Sequence, residues 1–402
     1  MLASTWRGLV TRHRLPLEST MSAESKSAES SGRRPACTAE SPGTAAVAIA
    51  ARSKVLRFTL ITLRGYGSVC LSEDTLRVQL VFAGCAACTG YGSCMSFASV
   101  PFSGFGWDRG GMDRRDQAWL ESALSDSATR VVVVDRSSVL VEGHELAPLT
   151  VGDLPADDAV VAWPDAVWLG RVDGETWVAV PASAGVEAAL RDGVAWADVR
   201  QVAAGMSAQD AALAATSVAI TAWNAANVFC ARCGQWMRPI DAGWVRVCNE
   251  GHEEFLRLDP AVIVRITDEA DRVLVGHNAA WEPGRYSIFA GFVEPGESFE
   301  GAVRREMREE VGLDLTDITY MGSQPWPFPR SLMVGFTAKA ASTAVVTQPD
   351  EIDEARWLSR DELRAAVADG SVRLPGPSSI SYALLADWFG GALPVREAVG
   401  RA

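Results

Sequence analysis

The 23 residues from Gly291 to Leu313 read GFVEPGESFEGAVRREMREEVGL and limit what the chain can fold into more than any other stretch. Within them, Arg305-Glu306-Met307-Arg308-Glu309-Glu310 spaces three carboxylates at i, i+3 and i+4, one face of a helix. Like charges so placed cost an isolated helix roughly a few tenths of a kcal/mol per pair, so a cation is expected against them. Clustered carboxylates are what hard divalent ions such as Mg²⁺ select. Ahead of them, Glu294-Pro295-Gly296-Glu297-Ser298 reads as a tight turn into an N-cap. The stretch is therefore expected to be a loop followed by a metal-holding helix.

These residues resemble the Nudix box, G-x5-E-x7-R-E-U-x-E-E-x-G-U with U aliphatic. Gly291, Glu297, Arg305, Glu306, Met307, Glu309, Glu310, Gly312 and Leu313 fill its defined positions. The resemblance implies an α/β/α sandwich and hydrolysis of a nucleoside diphosphate linked to another moiety, with Mg²⁺ or Mn²⁺.

Composition sets outer bounds. With 402 residues, 48% hydrophobic and 22% charged, the chain has room for two or three globular domains. A net charge of −13 argues against nonspecific nucleic-acid or membrane binding, and no apolar run is long enough to span a bilayer. Lysine occurs only at Lys26, Lys54 and Lys339, a bias suggestive of a high-GC bacterial gene. Eight cysteines without an even framework fit a reducing cytoplasm.

Residues 1–20 have a weak transit-peptide look, and 21–50 are small, polar and expected to be disordered. Strand-like runs at 55–63 and 76–82 precede a patch with Cys85, Cys88 and Cys94, which lacks a histidine for a convincing metal site. The expectation is that 1–100 is a disordered or mis-annotated extension, produced by an upstream start codon. From there the pattern turns globular. A helix at 116–124, a buried strand at 130–135, strands at 160–163, 166–169 and 176–180, and helices at 186–190 and 208–224 make an α+β domain over 101–225.

Next, Cys230-Ala-Arg-Cys233 and Cys248-Asn-Glu-Gly-His252 have the spacing of a zinc ribbon, here assigned to 226–258. His252 is the expected fourth ligand, because Gly251 stands where a second C-x-x-C would end. Four protein ligands leave no open position, so one structural Zn²⁺ per subunit is expected. The remainder, 259–395, alternates strands at 261–267, 272–276, 319–321, 332–338 and 355–358 with helices at 361–368 and 380–389.

Between the box and the last strands lies Ser323-Gln-Pro-Trp-Pro-Phe-Pro-Arg-Ser331, whose prolines suggest a rigid, exposed aromatic platform for a flat base. With the ribbon upstream, this is similar to the NADH pyrophosphatase group of the Nudix family. The resemblance implies that Glu306, Glu309, Glu310, Glu351 and the Ala290 carbonyl hold the catalytic metal, with Glu297 and Arg305 completing the catalytic set. It implies that Gln324, Pro325, Trp326, Pro327, Phe328, Pro329, Arg330 and Ser331 hold substrate, joined by Arg200, Phe255, Phe292 and Ser381. Phe255 stands where tyrosine is frequent, Ser381 where alanine is, and Phe292 is a stacking candidate across a dimer interface. The implied substrate is NADH or NAD, split into NMN(H) and AMP, or an NAD-capped RNA 5′ end. Broader activity on ADP-ribose or dinucleoside polyphosphates is an alternative. So is a non-catalytic NAD or ADP-ribose sensor, although such sensors tend to lose box glutamates that are all present here. A homodimer and a cytoplasmic location are also implied.

Overall fold

The computed structural model describes residues 69–70, 79–80, 100–103, 106–154, 166–183, 186 and 190–395. The expectations for Cys85, Cys88, Cys94 and the 160–163 strand, and nearly all of those for the leader and the 186–190 helix, lie outside these residues. A short antiparallel pairing of Val69–Cys70 with Gln79–Leu80 belongs to a separate unit, Met1–Ala86. Everything below concerns the unit Ala87–Ala402.

Its first half is built on β1 (Arg130–Asp135), whose four valines are all buried. Alternate residues serve two cores. Val132 and Val134 face one, roofed by the alanine-rich α3 (Ala208–Ala226); Val131 and Val133 face the other, roofed by α1 (Gln117–Ser125). Around β1 run β2 (Ser138–Glu142), β3 (Glu145–Leu146), β4 (Leu149–Thr150), β5 (Val167–Val172), β6 (Glu175–Pro181) and β7 (Val194–Asp198). This seven-stranded sheet is antiparallel except where β1 lies parallel to β6. A short helix α2 (Val199–Val202) leads from β7 towards α3.

The ribbon is a three-stranded antiparallel sheet of β8 (Met237–Ile240), β9 (Val245–Cys248) and β10 (Glu253–Phe255). Arg246 on β9 is only 1% exposed. Its guanidinium donates to the Asn224 carbonyl and Oδ1 near the end of α3, and to the Met237 carbonyl, pinning ribbon to helix.

The last third repeats the layered plan on β11 (Asp259–Thr267). Val262, Val264 and Ile266 pack under α4 (Phe299–Val311), while Ile263 faces α6 (Ile380–Phe389). The other elements are β12 (Val273–Asn278), β13 (Phe289–Phe292), β14 (Leu315–Trp326), β15 (Ser331–Ala340), β16 (Ile352–Leu358) and α5 (Arg360–Asp369). Strand order is β14-β15-β11-β12-β16, with β13 on β11 and one parallel pair, β11 with β15. The mixed sheet between helices is the sandwich expected from the sequence. The strand foreseen at 319–321 is much longer, because β14 continues through Gln324-Pro325-Trp326 paired with Ser331–Met333. It lies at a sheet edge, where a proline costs no ladder hydrogen bond.

Candidate active site

The box folds as a turn and a capped helix. The Ser298 hydroxyl accepts from the Gly301 amide at 3.1 Å to start α4, and Glu297 Oε1 accepts from the Glu294 amide at 2.8 Å to close the turn. Arg305 is the hub. Its guanidinium reaches Glu297 (2.7 Å), Glu306 (2.9 Å), Glu309 (3.0 Å) and the Phe292 carbonyl (2.9 Å), joining loop, helix and β13. This hydrogen bonding raises its pKa and, being bidentate, lowers that of Glu297. Gly291 on β13 lies against the Glu306 side chain, and a Cβ there would stand 2.0 Å from the carboxyl carbon. A side chain there would push the Glu306 carboxyl from the place where Arg305 holds it.

Glu310 is different. It is 7% exposed, and its Oε2 is buried without a hydrogen-bond partner. Burial first, then the charges of Glu306, Glu351 and Glu309, push its pKa up to about 8. Glu306 is also raised, chiefly by burial, against the pull of Arg305. A buried carboxylate oxygen without a donor, facing three further acids, is unfavourable unless a proton or a cation compensates it. A hard divalent cation with oxygen ligands fits this donor set. Glu310 and Ala290 line a cavity of about 270 Å³, together with Gln324, Trp326, Ser381 and Ser287. Ser381 Oγ lies 2.8 Å from Ser287 Oγ. The sequence had not singled out Ser287, Asn278 or Trp281 among the cavity walls. Trp281 stands in a Trp-Glu-Pro-Gly run of turn-forming residues, and nothing in that run signals which way the indole faces.

The aromatic stretch departs from the exposed platform expected of it. Trp326 and Phe328 are half-buried against the core of the first domain, with centroids 5.2 Å apart and planes at 77°. Phe102 packs edge-on to both, so the rings wedge the two domains together. Gln324 is fully buried, and its amide is consumed by main chain. Nε2 donates to the Pro101 and Ser378 carbonyls at 2.9 and 2.8 Å, and Oε1 accepts from the Ile380 amide at 2.7 Å. It shapes the cavity with both amide hydrogens and one Oε1 lone pair already engaged by main chain. Of the other candidates, Arg330 is paired with Asp259 at 2.6 Å, and Pro325, Pro327 and Ser331 line a second cavity behind Trp326. Arg200 is paired with Asp198 and lies over the Phe328 ring, in a third cavity with Pro327 and Pro329. Phe255 and Phe292 stand 57% and 59% exposed, outside the Glu310 cavity.

In the ribbon, the ligand atoms of Cys230, Cys233, Cys248 and His252 all lie within 4.8 Å of one another. Cys230 Sγ to His252 Nδ1 and Cys233 Sγ to Cys248 Sγ are both 3.6 Å. Tetrahedral zinc with bonds of about 2.0–2.3 Å needs its ligands about 3.5–3.8 Å apart, so the set fits. Burial works to raise the Cys230 thiol, but amide donors from Arg232 and Cys233, with Cys233 and His252, outweigh it and bring it down to about 6. Gly251, at φ +77°, turns the second knuckle in a conformation that disfavours a side chain and delivers His252 to the cluster.

A buried carboxylate grouped with further acids suited to a divalent ion, at the wall of a cavity in a mixed-sheet sandwich, fits a metal-dependent hydrolase of phosphoanhydrides. Comparison with known families agrees with this class. Residues 257–374 match the NUDIX domain, 225–254 the NADH pyrophosphatase zinc ribbon domain, and 128–223 the NADH pyrophosphatase-like rudimentary NUDIX domain. A Mycobacterium bovis protein, the NAD-capped RNA hydrolase NudC, is 41% identical over 309 residues, covering 72% of this chain and 95% of the relative. The protein of the same name from Pseudomonas aeruginosa is 41% identical over 181 residues, 45% of this chain and 65% of that one. Among solved structures, a NUDIX hydrolase from Nitrosomonas europaea aligns at 18% identity and a TM-score of 0.33, over 42% of this chain and 96% of its own. The chain belongs to the NADH pyrophosphatase group of the Nudix hydrolase family. Its cofactors are a structural Zn²⁺ in the ribbon and Mg²⁺ or Mn²⁺ at the box.

Proposed function

We propose that this chain hydrolyses the pyrophosphate bond of NAD(H) to NMN(H) and AMP, and removes NAD caps from RNA 5′ ends. The observation that carries the reading is Glu310, buried at the cavity wall with an oxygen that no protein donor meets. In this reading Glu306, Glu309, Glu310, Glu351 and the Ala290 carbonyl hold the divalent ion. Once bound, that ion offsets phosphate charge and makes water a better nucleophile. The protein's own part is positional. Arg305 holds Glu306 and Glu309 at fixed angles, Gly291 lets β13 bring the Ala290 carbonyl beside them, and either Glu306 or Glu309 takes the proton of the attacking water. The Glu310 cavity, with its Trp281 and Trp326 rings, accepts one flat base of the dinucleotide. Exposed Phe292 and Phe255 suit contact with a second copy, consistent with a homodimer.

We place the catalytic domain at 259–395, the ribbon at 226–258 and the N-terminal domain at 101–225, acting in the cytoplasm. Among the described residues no helix is long and apolar enough to cross a membrane. The test is incubation with NADH, NAD, ADP-ribose and NAD-capped RNA in Mg²⁺ or Mn²⁺, followed by chromatography. NMNH and AMP from NADH, and monophosphorylated RNA from the capped RNA, are expected; turnover of ADP-ribose alone would refute the reading.

A further inference from the structure

Behind Trp326, the wall it shares with the Glu310 cavity, lies a second cavity of about 160 Å³ lined by Arg109, Trp244, Leu258, Pro325 and Ser331 among others. Arg109 lines this cavity, and Arg114 lies beside it, its Nε donating to the Arg109 carbonyl at 3.0 Å. The Arg109 guanidinium rests on the Trp107 ring at 4.0 Å, and that of Arg114 on the Trp244 ring at 3.7 Å. Both indoles are fixed by hydrogen bonds, Trp107 to the Leu169 carbonyl and Trp244 to the Trp168 carbonyl. Among the described residues no carboxylate lies within ion-pairing distance of either guanidinium, and Nη2 of Arg114 is buried with no partner. The nearest acids in sequence, Asp108 and Asp113, turn to Arg171 instead, at 3.9 and 3.2 Å. Burial, and then the charge of Arg109, bring the Arg114 pKa down to about 10 against a weaker pull from Asp241. Elsewhere in the first domain Arg130, Arg171 and Arg200 each have a carboxylate, and the whole chain carries −13. Among the described residues this cationic pair is left without an ion-pair partner, in a chain that is acidic as a whole.

We propose that Arg109 and Arg114 form a second phosphate site, which takes the first phosphodiester of the RNA chain in an NAD-capped substrate. This rests on the reading that the Glu310 cavity cleaves the dinucleotide pyrophosphate. That pyrophosphate must lie at the box carboxylates, whereas the arginine pair lies beyond Trp326. A capped RNA carries its next anion on the adenosine ribose, outside the cleaved dinucleotide. Guanidinium groups held on indoles suit a phosphate whose neighbouring base can stack alongside.

The test is fluorescence anisotropy with a 5′-phosphorylated adenosine-led trinucleotide RNA on the zinc-loaded full chain, wild type against R109Q and R109Q/R114Q. The double variant should raise Kd about tenfold and flatten the dependence of log Kd on log salt by about one. Its kcat/KM on NADH and on NADPH should stay within about twofold of wild type. Unchanged RNA binding, an equal loss on NADH, or a loss confined to NADPH (a ribose monoester) would overturn the proposal. If wild type failed to cleave NADH, the pyrophosphatase reading would fall, while the anisotropy result would still decide the phosphate site. Circular dichroism and R109K, which keeps the charge and should restore part of the affinity, separate this from misfolding.

Discussion

At the scale of single residues, the chemistry turns on how differently the fold treats three glutamates that the sequence presents as a set. Glu309 is exposed and held by Arg305, Glu306 is half-buried against Gly291, and Glu310 is buried without a donor. The i, i+3, i+4 spacing made their common face legible, but only packing against the sheet decides which one loses solvent. In the metal-free protein Glu310 retains its proton up to about pH 8. The folded state therefore binds more protons than the unfolded chain between about pH 4.5 and 8, and this group's contribution to stability falls as pH rises through that window. Thermal melts should show Glu310→Gln gaining on wild type as pH climbs from 5 to 8 in chelator, with the gain shrinking when Mn²⁺ is added. Gly291→Ala should lower turnover on the order of a hundredfold, because its methyl group must displace the Glu306 carboxyl. Metal titration by calorimetry would show a weakened site at unchanged fold.

Elements carry the next lesson. The Gln-Pro-Trp-Pro-Phe-Pro stretch was legible as rigid, but its rigidity serves packing as much as recognition. Residues 324–326 continue an edge strand, and the rings that follow insert beside Phe102. Its partners lie more than 200 positions upstream, at Pro101 and Phe102, and no local periodicity could reveal that contact. Gln324→Leu would strand two carbonyls and an amide, each costing about 1–3 kcal/mol when buried. Urea unfolding should therefore show a loss of about 3 kcal/mol or more. Disturbing the start of α6 beside Ser381 should also raise KM for NADH more than it lowers kcat. A shift in KM without a stability loss would instead mean that Gln324 contacts substrate directly.

For the whole molecule, the sequence pattern separated ribbon from sandwich because cysteine spacing and box spacing are local codes. It gave no hint that β1 with β6 and β11 with β15 are parallel pairs in two similarly layered sheets, since strand pairing across 40 or more residues leaves no trace in periodicity. Nor did it indicate that Arg246 would pin the ribbon to α3. Zinc loss is therefore expected to reach beyond the ribbon. Chelation at neutral pH, or Cys233→Ser, should lower Tm and expose the 226–250 region to protease, with the end of α3 losing hydrogen-exchange protection in step. Protection of α3 unchanged by zinc removal would sever that link.

The central claim is that a buried box carboxylate, completed by a divalent ion, breaks the dinucleotide pyrophosphate. Its most direct measurement is the rate at which zinc-loaded Glu310→Gln converts NADH to NMNH and AMP at saturating Mn²⁺, with circular dichroism to confirm the fold. A loss of kcat on the order of 10²–10³-fold is predicted; turnover near wild type would contradict the claim.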